Sequence, residues 1–248
     1  LNIPADVSDD MCKSAVRMGK ELHLKGLATA EFLYTGDTVC FMEVNPRVQV
    51  EHVITEMINF KSNININLPY ILCQICIENK SLKDIFGNDK PKVYGHTIGI
   101  RICAENTYNN FIPSAGKVCN ILYNPSNRHD WCYFSINSGE IPSNADNQFG
   151  HVFSWGKNRQ EAIHHLKHFL EKIIIDTDFP NTKSFLYDVL GTDMFNEFKH
   201  HTKWLMDYSK INESIDEIYP ISIAIWKTFC KIRENVQVIE KNVEKGHT

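Results

Sequence analysis

"CFMEVNPRVQVEH", residues 40–52, sets Val44, Pro46, Val48 and Val50 on one parity and Glu43, Asn45, Arg47, Gln49 and Glu51 on the other. Read as a strand, whose side chains alternate between two faces, it lines up two carboxylates, two amides and a guanidinium. A half-buried strand ordinarily fills its outer face with Thr, Ser or Lys, so this set asks for a ligand. Carboxylate and amide oxygens suit a hard cation, and Mg²⁺ takes a few carboxylates plus substrate phosphates rather than an all-protein cage. The fork of Arg47 matches a planar oxyanion. Gln49 adds an amide, and Glu51 can serve as a general base where a proton lies within hydrogen-bond reach. Cation, anion and base, in that order, describe phosphoryl transfer to an oxyacid. The competing reading is a solvated strand face with scattered ion pairs.

The segment before it supplies a partner. "LATAEFLY" (27–34) and "VCFMEV" (39–44) flank the turn "TGDT", a hairpin signal. With a three-residue loop, Thr35 pairs with Val39, Tyr34 with Cys40 and Glu31 with Glu43, and the two glutamate Cβ atoms stand roughly 5 Å apart on one face. A loop of two or four residues would put them on opposite faces. Like charges directly opposite destabilise a sheet, and a shared cation removes that penalty. Glu31, Glu43 and Asn45 are therefore the expected oxygen ligands.

The 248 residues, 43% hydrophobic and 23% charged, fit a soluble globular chain of one large or two modest domains. A net charge of −4 disfavours a polyanion surface, so no nucleic acid partner is expected. No run approaches the roughly 18 apolar residues of a membrane span. The eight cysteines sit mostly in apolar segments, the pattern of reduced, buried thiols in an intracellular protein. Cys73 and Cys76 form a C-x-x-C with no second pair at zinc-ribbon spacing, so a buried helix is expected there rather than a metal or redox site. The chain opens without Met or a signal pattern and ends on "VEKGHT", which suggests a fragment of a longer polypeptide.

Residues 8–24 read as an amphipathic helix with Ser8 as N-cap, a stripe of Met11, Ala15, Met18 and Leu22, and Gly26 past its end. Residues 54–78 read as helix interrupted by "NFKSNININLP", Pro69 opening the second part, before the turn-rich connector "SLKDIFGNDKPKVYG". From Gly95 to about Trp155 the pattern is β. Helix returns at 159–173 with Ile163, Leu166, Phe169, Leu170 and Ile173 on one stripe. "NTKSFLYDVLG" and "TDMFNEF" read as two short helices, and 204–241 as helix broken at Pro220. His164, His165 and His168 fall off the apolar stripe, on an expected solvated face.

"FMEVNPRVQVEHVITEMI" closely resembles the signature of biotin carboxylases, the ATP-grasp enzymes that carboxylate biotin. "GLATAEFLY" resembles that family's partner strand, with Glu31 twelve residues before Glu43. "GHTIGIRICAEN" and "NFIPSAGKV" resemble the opening of the biotin carboxylase C-terminal domain. "DNQFGHVFSWGKNRQEAI" looks like the version in large eukaryotic, multidomain acetyl-CoA carboxylases. The resemblance runs from residue 1 to about 208. It implies that Glu31, Glu43 and Asn45 hold the Mg²⁺ or Mn²⁺ bridging ATP, that Arg47, Gln49 and the Val50 backbone hold bicarbonate, and that Glu51 deprotonates it. It implies that Arg101 stabilises the enolate-like oxyanion of biotin, with His52 supporting the loop. Trp131 matches a tryptophan lining an inhibitor site in eukaryotic relatives, although core packing would also explain it.

Val53 stands where the family usually has Pro, and "NFKSNININLP" is longer than the usual connector. The family's Gly-rich ATP lid and its ATP-gripping lysines have no counterpart in these residues, so the isolated chain is expected to be inactive. The expected architecture is α+β. Residues 1–80 would end an ATP-grasp domain, 81–208 would form the β-rich biotin carboxylase C-terminal domain, and 209–248 would be a helical segment leading onward. The implied whole is an acetyl-CoA carboxylase, a ligase feeding malonyl-CoA and fatty acid synthesis. It would work with a biotin carrier domain of the same polypeptide, could form a homodimer, and would reside in the cytoplasm or a plastid-type organelle. Propionyl-CoA, pyruvate and urea carboxylases share the signature. The rival reading is a non-catalytic interaction module descended from this fold.

Overall fold

The computed structural model describes residues 3–58, 66–87, 93–124, 129–144, 146–201, 203–205 and 208. The expected helix at 204–241 lies almost wholly outside them, as does most of "NFKSNININLP". Two compact units emerge: Leu1–Glu105 with Pro113–Lys199, and Asn106–Ile112 with His200–Thr248. The site described below lies in the first.

Helix α1 spans Ala5–Glu21, one turn earlier than the sequence suggests. Pro4, not Ser8, occupies its N-cap at φ −54°, and no side chain caps it. Proline has no N–H to leave unsatisfied and its φ is preset, so the helix can start there. The end is a Schellman closure: Leu24 N–H donates to Gly19 O at 2.9 Å and His23 N–H to Lys20 O at 3.1 Å. His23 adopts the left-handed conformation usually given to glycine, at φ +49°. Leu22 is 63% exposed and drops out of the expected stripe.

The hairpin follows as β1 (Thr29–Tyr34) and β2 (Val39–Asn45), then α2 (His52–Met57), α3 (Leu68–Cys76) and α4 (Leu82–Phe86). Asn67 caps α3, accepting from Tyr70 N–H, with proline in the first turn. Helix α4 sits inside the expected connector, closed by a reciprocal Ser81–Asp84 capping box.

The β-rich part comprises β3 (His96–Cys103), β4 (Glu105–Asn106), β5 (Ile112–Pro113), β6 (Gly116–Leu122), β7 (Asp130–Phe134), β8 (Gly139–Ile141) and β9 (Gln148–Gly156). Then come α5 (Arg159–Lys172), β10 (Ile174–Thr177), α6 (Lys183–Leu190) and α7 (Asp193–Asn196). Two antiparallel three-stranded sheets result, in the orders β3-β9-β7 and β10-β6-β8. Strand β10 has no counterpart in the sequence reading. Helix α5 begins at the Asn158 cap and buries Ile163, Leu166, Phe169 and Leu170 against β9 and β3. These side chains share one core with Ile98, Ile102, Val118, Phe134, Phe149 and Val152. Gly99 is required by its neighbour: a Cβ there would lie 2.2 Å from the Phe153 ring.

The expectation of buried thiols is overturned. Seven free cysteines occur among the described residues, five exposed and two half-buried. The exposed ones share segments with apolar residues without sharing their buried face, whereas Cys132 packs against the edge of the core. On β6, Val118 and Ile121 are buried while Cys119 is exposed. Cys73 and Cys76 do lie on a helix, but on its exposed side.

Candidate active site

The glutamates face each other for a different reason from the one expected. Tyr34 pairs with Val39, Leu33 with Cys40 and Phe32 with Phe41, leaving a four-residue connection instead of three. Within it, Thr35 N–H donates to Thr38 O at 3.1 Å. Continued unbroken, this register would set Glu31 against Met42. A bulge admits Met42 as an extra residue on β2, and Glu31 pairs with Glu43, Ala30 with Val44 and Thr29 with Asn45. The bulge undoes the shift introduced by the longer turn.

One amide ties the resulting wall together. Asn45 Nδ2 donates to Glu31 Oε1 at 3.0 Å and to Glu43 Oε1 at 2.8 Å. Gln49 Nε2 donates to Glu31 Oε1 at 3.2 Å. A half-turn of the Asn45 amide exchanges Nδ2 for Oδ1 and brings three oxygens to one point. Two carboxylates with one amide oxygen fit a cation that completes its shell with phosphate oxygens and water. No cluster of three or more His, Cys, Asp or Glu with metal-holding geometry occurs among the described residues, so this smaller donor set is the candidate.

The strand ends at Asn45 because Pro46 cannot donate to a ladder. Arg47 N–H donates back to Asn45 O at 2.9 Å, closing a three-residue turn around the proline. Arg47, Gln49 and Glu51 therefore do not share a strand face with Glu43, as the parity suggested. A loop gathers them instead around a cavity of about 310 Å³, lined in part by Thr29, Arg47, Gln49, Glu51 and His52. Arg47 is exposed, its Nη1 donating to Val48 O at 3.3 Å. Val50 is half-buried in the turn before α2. Gln49 O accepts from His52 N–H at 3.1 Å and lies 2.8 Å from His52 Nδ1. His52 Nε2 stands 3.8 Å from Glu56 Oε1, which accepts from Leu68 N–H at 2.7 Å. His52 thus pins the turn, the supporting part expected of it. Val53, in the usual proline position, is 2% exposed and packs inward.

Arg101 reaches this loop from β3. Its Nη2 donates to Glu51 Oε2 at 3.1 Å, with the side chains 57% and 47% exposed. An ion pair this open contributes at most about 1 kcal/mol, so its consequence is orientation. Arg101 pairs across the sheet with His151, a residue the sequence reading did not single out. The His151 ring lies parallel to Trp131 at 5.5 Å and 8° and to Tyr133 at 5.5 Å and 24°. Its Nδ1 is 3.1 Å from Gln148 Nε2. Burial, then the charges of His52 and Arg101, hold the His151 pKa below the ordinary histidine value. The sequence carried a signal: Gln148 and His151 interrupt a largely apolar run, and they are the only positions of β9 that are not buried.

The other candidates stay apart. His164 and His168 are exposed, and His168 Nδ1 lies 3.5 Å from Glu171. His165 departs from the solvated expectation: its Nδ1 is 2.8 Å from Trp155 O and its ring stacks on His129.

Comparison with known proteins identifies the family. The biotin carboxylase C-terminal domain matches residues 99–207. The carbamoyl-phosphate synthase L chain ATP-binding domain matches residues 2–62. An acetyl-CoA carboxylase of Cryptosporiopsis sp. is 30% identical over 91% of this chain and 11% of its own length. The acetyl-CoA carboxylase of Saccharomyces cerevisiae strain S288c is 32% identical over 82% of this chain and 10% of its own. The chain thus spans about a tenth of the length of these curated relatives. Among solved structures, Kluyveromyces lactis urea carboxylase superposes with a TM-score of 0.72 at 27% identity, over 82% of this chain and 17% of its own. Rhizobium etli pyruvate carboxylase shares the fold at a TM-score of 0.74 and 21% identity, over 84% of this chain and 21% of its own. With both domain matches meeting at the Glu51–Arg101 contact, the chain belongs to the biotin carboxylase family, its residues 2–62 matching the ATP-binding domain and its residues 99–207 the C-terminal domain.

Proposed function

We propose that these residues form the bicarbonate- and biotin-facing side of the biotin carboxylase centre of an acetyl-CoA carboxylase. The observation that carries the reading is the Glu51–Arg101 contact at 3.1 Å, beside a cavity lined by Arg47 and Gln49. It sets a carboxylate base between an anion-binding loop and a second guanidinium. Bicarbonate is held by Arg47, the Gln49 amide and the Val50 backbone, and Glu51 takes its proton. Arg101 faces the negative charge that develops on biotin as the carboxyl group arrives. Mg²⁺ or Mn²⁺ held by Glu31, Glu43 and Asn45 would neutralise and bridge the phosphates of ATP. Gln49 belongs to both parts, lining the cavity and donating to Glu31.

The biotin arrives on a carrier domain of the same polypeptide, and the whole enzyme passes the carboxyl group to acetyl-CoA. Domains ending near residues 80 and 208 and a homodimeric whole belong to the same reading. So does residence in the cytoplasm or an organelle; no helix among the described residues is long and apolar enough to cross a membrane. Urea as final acceptor is the second reading, favoured by the likeness to the urea carboxylase at 27% identity. The acetyl-CoA carboxylases, at 30% and 32%, favour the first.

The test is to separate the two arginines in the full-length polypeptide. Arg47→Ala should depress both bicarbonate-dependent ATP cleavage and biotin carboxylation. Arg101→Ala should lower carboxylation by roughly 10²–10³ and leave biotin-independent ATP cleavage largely intact. Loss of positive charge alone predicts the same phenotype for both. If Arg101→Ala abolishes biotin-independent cleavage as thoroughly as Arg47→Ala does, the division of roles is wrong.

A further inference from the structure

Arg101 stands on a strand at the edge of its sheet. Strand β3 is outermost in the order β3-β9-β7. Its pairing with β9 slips just beyond the arginine: Ile102 faces Gly150, and Cys103 faces Gln148. On the edge away from β9, one residue far along the chain secures this backbone. Cys103 N–H donates to Thr182 Oγ1 at 3.0 Å. Thr182 Oγ1 donates to Arg101 O at 3.3 Å. Thr182 N–H donates to Cys103 O at 3.1 Å.

Thr182 is 5% exposed and stands at the N-cap position of α6. A threonine there ordinarily turns its oxygen onto the helix amides. This one makes no side-chain cap bond. Its hydroxyl is committed to β3, accepting from Cys103 N–H and donating to the carbonyl of Arg101 itself. The guanidinium is more than half exposed and meets Glu51 across the site. The direction in which the side chain leaves the strand is therefore governed by the backbone that Thr182 clamps.

We propose that Thr182 is a positioning residue for Arg101, its hydroxyl fixing the β3 backbone so that the guanidinium meets the charge developing on biotin. The inference rests on the reading of Arg101 as the biotin-side arginine. The hydroxyl must both accept and donate, so Ser can replace Thr, whereas the isosteric Val cannot. A misplaced oxyanion donor loses rate in the step where the oxyanion forms, and Arg47 and Glu51 sit on other elements.

The experiment measures biotin carboxylation and biotin-independent, bicarbonate-dependent ATP cleavage in the full-length polypeptide. The variants are Thr182→Val, Thr182→Ser, Arg101→Ala and the double variant Thr182→Val/Arg101→Ala. Thr182→Val should lower carboxylation about tenfold or more while ATP cleavage stays within about twofold. Thr182→Ser should hold both rates within about twofold of the parent, and Thr182→Val should cost less than about twofold in the Arg101→Ala background. A Thr182→Val variant that loses both rates together, including by failing to fold, overturns the inference, since the residue is then merely structural. So does one that loses neither rate, or that keeps its full effect without Arg101. If Arg101→Ala splits the two rates and Thr182→Val does not, only this inference fails. If Arg101→Ala leaves carboxylation intact, the reading of Arg101 fails and takes this inference with it.

Discussion

Asn45 is the point at which the proposed cation wall is most sensitive. Its Nδ2 donates at 3.0 Å to Glu31 and at 2.8 Å to Glu43, so a single shared donor keeps two facing carboxylates compatible. Asn45→Asp replaces that donor with an isosteric acceptor of full charge. Unit charges about 3 Å apart repel by about 1.4 kcal/mol in bulk water and about 5.5 kcal/mol at an effective dielectric constant near 20. Glu43 is exposed and Glu31 half-buried, so the low end applies, and the carboxylates can swing apart. With two charge-assisted hydrogen bonds also lost, about 2 kcal/mol of local stability should disappear, a factor of about 30 in hairpin opening. Amide hydrogen exchange over residues 29–34 and 39–45 in EDTA reads this directly, with the amides of α5 and β9 as internal control. Adding Mg²⁺ or Mn²⁺ should slow exchange again, and more in the variant than in the parent, because three carboxylates hold a divalent cation better than two. A cation at about 100 times its Kd returns about 2.7 kcal/mol. The reasoning fails if exchange in EDTA is unchanged, or if Mg²⁺ does no more than NaCl at equal ionic strength.

Deleting Met42 should leave the hairpin intact. The deletion removes the bulge residue but carries the Phe32–Phe41 register straight on to a Glu31–Glu43 pair, so the cation response of hydrogen exchange should survive; its loss would show that the bulge itself shapes the wall. The isolated 248-residue chain should release no ADP in a bicarbonate-dependent manner, and turnover comparable to that of the full-length polypeptide would contradict the division of labour drawn here. Burial pushes the Cys103 and Cys132 thiols up to about 11 and about 12. The folded state therefore favours their protonated forms. Their contribution to stability should be complete below the unfolded-state value of about 8.5 and fall as pH rises through the folded values. Iodoacetamide at pH about 8 should label both far more slowly than exposed Cys12, since only thiolate reacts; comparable rates would show these thiols to be as open as Cys12.

The fold was legible where a periodic face meets a local stop signal. Helix α5 is the plain case: the spacing of Ile163, Leu166, Phe169 and Leu170 marks its buried side, and the expected span 159–173 meets the observed Arg159–Lys172. Strand β10 was not legible, because Ile174–Thr177 is too short for alternation to show and follows the apolar end of α5 directly. The cysteines misled because an apolar neighbourhood in sequence is not a buried face in space. The facing glutamates were expected, yet through a loop of the wrong length. Turn chemistry near Gly36 is visible in the sequence, whereas the compensating bulge at Met42 depends on strand twist and carries no residue signature.

The site shows where strand parity stops being informative. At about 3.4 Å per residue, a straight strand would carry Glu51 roughly 27 Å from Glu43, too far for both to serve one small substrate. Gln49 would stand roughly 14 Å beyond Asn45 on the same spacing. Instead the Gln49 amide touches Glu31 at 3.2 Å, because Pro46 ends the ladder and the Arg47 amide turns back onto Asn45. The residue types were readable from their chemistry, and the convergence was not, since it is imposed by Pro46, which looked like one more apolar member of the strand. Arg101 lies still further from any periodic argument, fifty positions from Glu51 in sequence, and only the packing of β3 beside α2 brings it into reach. The proposed base, Glu51, and the proposed oxyanion donor, Arg101, come from separate elements, one on a loop closed by His52 and Glu56, the other on a strand edge held by Thr182. Arg47 and Arg101 likewise stand on separate elements, which is why the two arginine variants are able to tell bicarbonate binding apart from charge stabilisation on biotin in the proposed reading.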